Sequence, residues 1–228
     1  MNGNTSTNRI PPDSGYPEPG GRAPAPAPLR LAQVFVNTAD CEAGKDALGN
    51  PQDLVAWLAS YGLVRDGEAA TDGDLALAID LREGMRSLFL THHDGGLRGA
   101  GHNDDEHSGH GGAGHNGDGH RTPAPDDDAE GLRRLDRALE QLPLRVSVVE
   151  GTPGVVPTPQ PPVRAALARI GAVLASSDPA QLRRLKACRR DVCRWVFFDN
   201  SRNRGGTWCA MEICGARTKM QTYRKRNA

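Results

Sequence analysis

The sequence predicts a mainly α-helical fold with one small β hairpin, divided into a helical N-terminal domain and a small C-terminal module. Apolar residues recur at the spacing of a helix face in four separate segments. Alternating apolar residues occur in one short segment, and four cysteines lie close together near the C-terminus. Because 27 glycines and 17 prolines accompany only 4 % aromatic residues, part of the 228-residue chain is expected to be unstructured.

The chain begins with a segment that has no regular pattern. Residues 1–28 are rich in proline, glycine and asparagine and end in an alternating Ala-Pro run, so we expect a disordered leader. The leader lacks the apolar stretch of a secretory signal peptide. No run of residues approaches the roughly 18 apolar residues that a membrane helix needs. These observations predict a cytoplasmic protein with no membrane partner, in which thiols stay reduced.

The first folded elements are predicted as helices with recognisable ends. Residues 31–36 fit a short helix or a strand. Asn50 before a proline is typical of a helix start, and Gly62 is typical of the end of that helix. Thr71 and Asp74 have the spacing of a capping box, which predicts the start of a longer helix. The apolar residues of this longer helix share one face: Leu77, Leu81, Met85, Leu88 and Phe89.

The helical pattern stops between residues 91 and 128, where Gly, His, Asp and Asn dominate. We predict a disordered insertion within the helical domain, which spans residues 29–176. All seven histidines lie in this insertion: His92, His93, His102, His107, His110, His115 and His120. Imidazoles on a flexible acidic chain bind zinc, nickel or copper weakly, which makes a metal-handling or metal-sensing protein one hypothesis. The alternative is a low-complexity insertion without a function.

Regular patterns return after the insertion. Leucines at helical spacing predict a helix over residues 132–142, and the alternation over residues 144–148 predicts a strand that turns back as a hairpin. The clearest helix pattern covers residues 163–174. Asp178 before a proline predicts a short helix that carries Leu185 toward the first of the clustered cysteines.

The clustered cysteines give the strongest signal of a site. Cys188 with Cys193, and Cys209 with Cys214, form two C-x4-C pairs separated by 15 residues. Two close pairs joined by a short loop suit tetrahedral zinc, because each pair supplies two corners. With all four corners filled by cysteine, the zinc is expected to be structural and not catalytic. The alternative is four free or redox-active thiols, and Cys41, far upstream, is expected to be a small buried residue.

The charge of the chain divides near the same place. Residues 183–228 contain 13 Lys or Arg and 3 Asp or Glu, so the first 182 residues have an equal excess of acidic groups and the net charge is zero. A basic module on an acidic body is typical of a protein that binds a polyanion, and the alternative is a solvated basic tail. In a helix over residues 216–226, Ala216, Met220 and Tyr223 form a stripe that could dock on the module. Basic residues and a glutamine lie opposite this stripe.

The C-terminal module resembles the CGNR zinc-finger family. Residues 208–219 read Trp-Cys-Ala-Met-Glu-Ile-Cys-Gly-Ala-Arg-Thr-Lys, and the family core is Trp-Cys-x-Met-x-x-Cys-Gly-Asn-Arg-x-Lys. Residues 198–203 resemble the Phe-x-Asp-x-Ser-Arg-Asn element of the family. Three positions depart from the family pattern: the family asparagine is Ala216 here, and the Arg-Arg before Trp-Cys is Gly206-Thr207.

The body resembles the ABATE domain, a helical domain that accompanies this finger. Residues 35–38, 53–58 and 81–86 are similar to its opening and to its next helix. The resemblance implies a bacterial, stress-related transcription regulator, with a zinc finger and a basic C-terminal helix in residues 178–228. It also implies that the helical domain receives a small-molecule or protein signal or forms a homodimer.

The same resemblance implies the partner and the site residues. The four clustered cysteines would hold one structural zinc ion, and double-stranded DNA would be the partner. The polar residues of the module expected to contact nucleic acid are Arg202, Arg204, Arg217, Lys219, Gln221, Arg224, Lys225 and Arg226. We expect no enzyme, because the chain has no phosphate-binding glycine loop, no nucleophile elbow and no histidine outside the insertion.

Overall fold

The computed structural model of the protein describes residues 18–94, 128–149 and 151–226. The leader up to residue 17 and most of the predicted insertion lie outside these described residues. Within the described ranges the chain forms seven α-helices and six short strands, and every strand belongs to a two-stranded antiparallel pair. The predicted fold class, mainly helical with a small hairpin, is therefore confirmed. None of the described helices is both long and apolar enough to span a membrane.

The elements follow one another in a simple order. The helices are α1 (Leu29–Val36), α2 (Pro51–Ser60), α3 (Asp72–Thr91), α4 (Asp128–Glu140), α5 (Pro162–Ser176), α6 (Pro179–Leu182) and α7 (Ala216–Arg226). The strands are β1 (Ala39–Asp40), β2 (Lys45–Asp46), β3 (Leu144–Val149), β4 (Thr152–Pro157), β5 (Leu185–Ala187) and β6 (Val196–Phe198). Single 3-10 turns occur at Pro19–Gly21 and His92–Asp94, and a π-helical turn at Met211–Gly215. Each strand pairs with its neighbour in sequence.

The predicted helix starts have the expected capping bonds. The Asn50 side chain accepts a hydrogen bond from the Asp53 amide at 3.0 Å, which caps α2. At the start of α3, Thr71 Oγ1 accepts from the Asp74 amide and the Asp74 carboxylate accepts from the Thr71 amide, so the capping box is confirmed. Gly62, just beyond α2, has a φ of +67°, a left-handed conformation in which glycine carries no steric penalty.

Helix α3 is the centre of the core. It contacts α1, α4, α5 and β5. Four apolar residues of its predicted face are buried: Leu77, Leu81, Met85 and Phe89. Gly84 lets α4 approach closely, because a Cβ at this position would lie 2.7 Å from the Cα of Leu135. Fully buried apolar side chains of this kind are the main source of folding free energy in a domain of this size.

The predicted hairpin is formed by β3 and β4. Val146 pairs with Val155 in an antiparallel register, and Gly151 lies in the turn with a φ of +80°. Strand β4 packs against α5, whereas Val146 and Val148 of β3 are exposed. The hairpin therefore covers one side of the helical body and presents its other face to solvent.

Two further strand pairs, β1–β2 and β5–β6, were not expected from the sequence. Leu185 was predicted to continue a helix, but it begins β5 and pairs with Phe198 of β6. Leu185, Val196 and Phe198 belong to the same buried cluster as the helices of the body. The body and the C-terminal module therefore share one apolar core across the boundary predicted near residue 178.

Two segments predicted to be disordered are ordered where the structure describes them. In the leader, Ala25 is buried, and Glu18 pairs with Arg30 of α1 and accepts a hydrogen bond from Gln33 at 3.0 Å. At the start of the insertion, His92 and its neighbours continue α3 as a 3-10 turn. These residues therefore have defined contacts, which for Glu18 come from α1.

Candidate metal centre and basic surface

Two short turns bring the four clustered cysteines together. Cys188 follows β5, and its amide donates to the Trp195 carbonyl at 2.9 Å, which extends the β5–β6 hairpin. Cys193 ends the first turn, which precedes β6. Cys209 and Cys214 bracket the second, where the Cys214 amide donates to the carbonyl of the residue after Cys209 at 3.0 Å. All four cysteines are buried.

The sulfur positions fit a tetrahedral metal ion. All four Sγ atoms lie within 4.8 Å of one another, and Cys209 Sγ is 3.6 Å from both Cys193 Sγ and Cys214 Sγ. A zinc ion with bonds of about 2.3 Å to each sulfur separates its ligands by roughly 3.8 Å. Among the residues that the structure describes, no other His, Cys, Asp or Glu group of three or more is placed to hold a metal ion. The four cysteines thus form the site of one structural zinc ion.

Three of the thiols also shift one another's pKa values, because they lie so close together. Hydrogen bonds from Cys193 and Cys209 lower the pKa of Cys188 to about 2, so that one thiolate is stabilised by its neighbours. The same contact with Cys188 raises the pKa of Cys193 and of Cys209. Four thiolates at these distances can ionise together only when a positive ion lies among them, which is what zinc provides.

A small set of aromatic side chains packs around the cysteines. Phe197 is fully buried beside them, and the half-buried Trp195 and Trp208 complete the cluster. A Cβ at Gly215 would lie 2.3 Å from Met211 Sδ, so a larger residue there would displace the Met211 side chain. The cluster is too small to be a core on its own, so the metal must supply most of its cohesion.

The end of the predicted leader closes over this cluster. Arg22 Nε donates to the Cys209 carbonyl at 2.6 Å, and its Nη2 donates to the Trp208 carbonyl at 3.0 Å. The guanidinium group also stacks over the Phe197 ring, 4.6 Å from the ring centre. One arginine thus satisfies two carbonyl groups next to a zinc ligand. The composition of the leader gave no sign of this contact.

Buried hydrogen bonds from the body hold the β5–β6 hairpin. The Asn37 side chain donates to the Val196 carbonyl and accepts from the Val196 amide, both at 2.8 Å, and so pairs with the backbone as a neighbouring strand would. Arg86 is buried on α3 and donates to the Arg194 carbonyl at 2.9 Å. These bonds join the zinc module to the body at fixed positions.

The first two histidines of the predicted insertion also contact the β5–β6 hairpin. His92 Nδ1 lies 2.7 Å from the Leu185 carbonyl oxygen, and His93 Nε2 lies 2.6 Å from the Ala187 carbonyl oxygen. Burial lowers the pKa of His92, which keeps its ring neutral and able to donate this bond. The other five histidines lie outside the described residues.

The loop after β6 carries the first two predicted nucleic-acid contacts. Lys186 and Asp199, both buried, form an ion pair of 2.9 Å beneath this loop. Burial alone would raise the pKa of Asp199, but hydrogen bonds from the loop and from Lys186 lower it to about 2. Arg202 and Arg204 are exposed on the same loop, and Arg204 has a φ of +50°. A buried ion pair therefore fixes the loop that presents two arginines to solvent.

Helix α7 carries the remaining predicted contacts. Arg217, Lys219, Gln221 and Arg224 are exposed, and the side chains of Lys225 and Arg226 lie outside the described part of the structure. Met220 and Tyr223 are 55 % and 68 % exposed. The prediction that they dock on the module is therefore wrong. Helix α7 packs against the preceding π-helical turn, and of its described side chains Thr218 is half-buried and the others are exposed.

Helix α7 begins with an ion pair to the body. Arg217 donates to Glu42, which lies in the turn between β1 and β2. Arg190, from the first cysteine turn, places its Nη1 2.7 Å from the same carboxylate oxygen. The contact with Glu42 raises the pKa of Arg190. Nothing in the sequence pattern had indicated Glu42, because its two partners lie about 150 residues or more away.

Comparison with known families matches this architecture. Residues 29–177 match the ABATE family, described as a "putative stress-induced transcription regulator". The chain belongs to the ABATE family. Residues 184–227 of this ABATE protein match the CGNR zinc finger, so the resemblance seen in the sequence is confirmed. No curated protein matches the chain. Both matched families are regulatory or zinc-finger families and neither is an enzyme family.

The structure explains one of the three positions at which this ABATE protein departs from the CGNR motif. At Gly206, where the motif has arginine, a Cβ would lie 2.8 Å from the carboxyl carbon of Asp199. The Gly206 amide donates to that carboxylate at 2.8 Å. At a second departure, Ala216, the side chain is exposed at the first position of α7, and nothing in the structure explains the alanine.

Proposed function

We propose that this ABATE-family protein is a zinc-stabilised transcription regulator of the cytoplasm whose module binds double-stranded DNA. The observation that carries the proposal is helix α7. Its sequence contains five basic residues and no acidic residue, and its described side chains are exposed or half-buried. Such a helix suits the phosphate backbone and the acceptor groups on guanine.

Side chains at helical spacing give α7 a face that can follow a groove. Arg217, Gln221 and Arg224 lie at positions i, i+4 and i+7, so they share one side of the helix. Arginine and glutamine both form paired hydrogen bonds with base edges, and arginine also binds phosphate. Arg202 and Arg204, on the loop fixed by the buried ion pair, add a second basic group suited to phosphate contacts.

The regulatory part of the proposal depends on the junction. Because hydrogen bonds from Asn37, Arg86 and His92 hold the β5–β6 hairpin, a change in the helical body can reach the zinc module. A cavity of about 540 Å³ in the body lies beneath the β1–β2 turn and is lined by Leu75, Ile79 and other residues. We propose this cavity as the place where a small-molecule signal would bind.

Duplex binding by the full-length, zinc-loaded protein tests the proposal. We expect fluorescence anisotropy to show binding to a labelled duplex at low salt, with an affinity that falls steeply as salt rises. Arg224→Ala should weaken binding and make the slope of log K against log salt shallower by about one. Arg65→Ala is the matched control, because Arg65 is an exposed arginine of the body, and it should leave both values unchanged.

No binding to duplex at low salt, by protein that carries one zinc per chain, would contradict the proposal. The metal-handling alternative has its own test, which is metal titration of a chain that lacks residues 95–120. His92 and His93 stay in that variant because they contact β5. If the variant still binds the same number of metal ions as the full chain, the alternative is rejected.

A further inference from the structure

We infer that Arg190 and Arg217 form a clamp for one backbone phosphate of the bound nucleic acid, and that Glu42 occupies this clamp in the free protein. The inference deepens the proposed function and rests on it. Glu42 is then an internal competitor of the nucleic acid, contributed by the helical body. It links the body directly to the first turn of the helix proposed to bind DNA.

The three side chains bring two guanidinium groups to one carboxylate, and the Arg190 contact is an ion pair without hydrogen-bond geometry. A single oxygen of the Glu42 carboxylate contacts both guanidinium groups, at 2.7 Å from Arg190 Nη1 and in an ion pair with Arg217 Nη1. Two cations therefore converge on one anion, which leaves an excess positive charge. Carboxylate and phosphate oxygens bind guanidinium in the same way, so the carboxylate occupies a position that a phosphate can take.

Burial assigns different roles to the two arginines. The Arg190 side chain is 14 % exposed and lies in the cysteine turn, so it is held in place. The Arg217 side chain is 52 % exposed and the Glu42 side chain 34 % exposed. A phosphate can therefore approach from solvent on the side of Arg217, and Arg190 forms the fixed base of the clamp.

The position of Glu42 in a short turn allows its side chain to move away from the two arginines. Glu42 lies in a short turn, residues 41–44, and the strands that flank this turn have two residues each. The Arg217–Glu42 pair is largely exposed, and exposed pairs contribute little to stability, so losing this contact should not unfold the module. A phosphate that replaces Glu42 also releases a condensed counterion from the nucleic acid, which favours the exchange.

The position of the clamp on α7 indicates the occupant. Gln221 and Arg224 continue from Arg217 along the same face of the helix, at spacings of four and three residues. A nucleic-acid strand that contacts Arg224 would therefore pass the clamp as well. An isolated phosphate or a small anion would use the clamp alone and would gain nothing from the rest of this face.

The experiment compares Glu42→Gln with Glu140→Gln in the full-length, zinc-loaded protein. Both variants remove one negative charge from the body, but Glu140 lies at the exposed end of α4. We expect Glu42→Gln to bind a labelled duplex about three- to tenfold more tightly than the unchanged protein, with a steeper salt dependence. Glu140→Gln should change the affinity less than about twofold, through net charge alone.

Arg217→Ala in both backgrounds tests the clamp directly. If Glu42 competes with phosphate, Arg217→Ala weakens duplex binding more in the Glu42→Gln background than in the unchanged chain. The result that overturns the clamp is a Glu42→Gln protein that keeps one zinc per chain and binds duplex no more tightly than Glu140→Gln. The proposed function fails separately, if none of these proteins binds duplex at low salt.

A second variant distinguishes competition with phosphate from a purely structural role of Glu42. If Glu42→Gln loses zinc or melts at a lower temperature, Glu42→Asp retains the charge and shortens the reach by one methylene. The clamp predicts tighter duplex binding by Glu42→Asp than by the unchanged protein. A purely structural tie predicts equal or weaker binding, and that outcome would reject the inference. Binding of inorganic phosphate, measured by competition with the duplex, should be weak in every variant.

Discussion

The helical body and the zinc module are held together by different forces. The body buries large apolar side chains where its helices meet, among them Phe35 of α1 and Leu81 and Phe89 of α3. The module has one large buried side chain of its own beside the cysteines, Phe197, with two half-buried tryptophans. A body of this kind can fold through apolar burial, whereas the module needs the metal ion and the body.

The boundary between the part held by apolar burial and the part held by the metal lies inside the CGNR finger. Four residues of β5 and β6 belong to the apolar core of the body, Leu185, Ala187, Val196 and Phe198, whereas Phe197 of β6 packs with the four cysteines. The matched segment, residues 184–227, is therefore divided between two apolar clusters, and we expect it not to fold as one unit. Loss of zinc should release the tip of the module and leave β5–β6 in place.

The largest expected effect comes from loss of the metal. Cys209→Ser should abolish zinc binding, which in proteins of this kind contributes about 10 to 16 kcal/mol to folding of the metal-bound part. Hydrogen exchange should then become fast in residues 207–226, while amides of α3 stay protected. Cys41→Ser, which changes a half-buried cysteine outside the cluster, should keep one zinc per chain. Simultaneous unfolding of α3 and the module on chelation would contradict the comparison.

A cavity in the body is expected to have the next largest effect. Phe89→Ala removes a fully buried ring from the contact of α3 with the rest of the core, which typically costs about 3 to 5 kcal/mol. Urea unfolding of the zinc-loaded protein measures this cost. Val146→Ala is the control, because Val146 is 74 % exposed and its loss should cost less than about 0.5 kcal/mol. Equal costs for the two variants would mean that the body does not depend on this core.

The junction itself is tested by Asn37→Ala. This change leaves the buried amide and carbonyl of Val196 without their partner, at a cost of about 2 to 4 kcal/mol. Hydrogen exchange should accelerate in β5 and β6 before it does in α2. The control is Asn50→Ala, which removes a helix cap and should cost about 1 kcal/mol without affecting the module. If β5–β6 stays equally protected in both variants, the bond does not hold the hairpin.

The smallest expected effect is a pH dependence of the junction. The folded state lowers the pKa of His92 below its ordinary value of 6.5, chiefly through burial, so the unfolded chain binds more protons as the pH falls. The stability from neutral His92 is therefore complete above about pH 6.5 and is lost as the pH falls toward the folded-state pKa. His92→Gln should flatten the fall of the melting temperature between about pH 7.5 and 6. The other six histidines are common to both proteins. If the melting temperature falls equally with pH in both, His92 is not the source of the pH dependence.

The local signals of the chain were sufficient for its metal ligands and for most of its helices, but not for the strand pairs β1–β2 and β5–β6. Helix α3 begins where the capping box of Thr71 and Asp74 predicts, and its buried face is the one that the leucine spacing indicates. The cysteine spacing alone selected the four residues whose sulfur atoms converge. Helix caps, apolar periodicity and ligand spacing are local patterns, so they can be recognised in the amino-acid sequence itself.

Other features were decided by contacts between distant parts of the chain. Arg22 bonds to a carbonyl 187 residues away, His92 to one 93 residues away, and Arg217 to a carboxylate 175 residues away. A segment without local preference is ordered only when such partners reach it, and its composition cannot report them. The stripe of Met220 and Tyr223 shows the converse, because helical phase predicts which residues share a face but not whether a surface covers them. The sequence determined the helices and the zinc ligands of this protein, and the tertiary structure decided how the body holds and opposes the basic module.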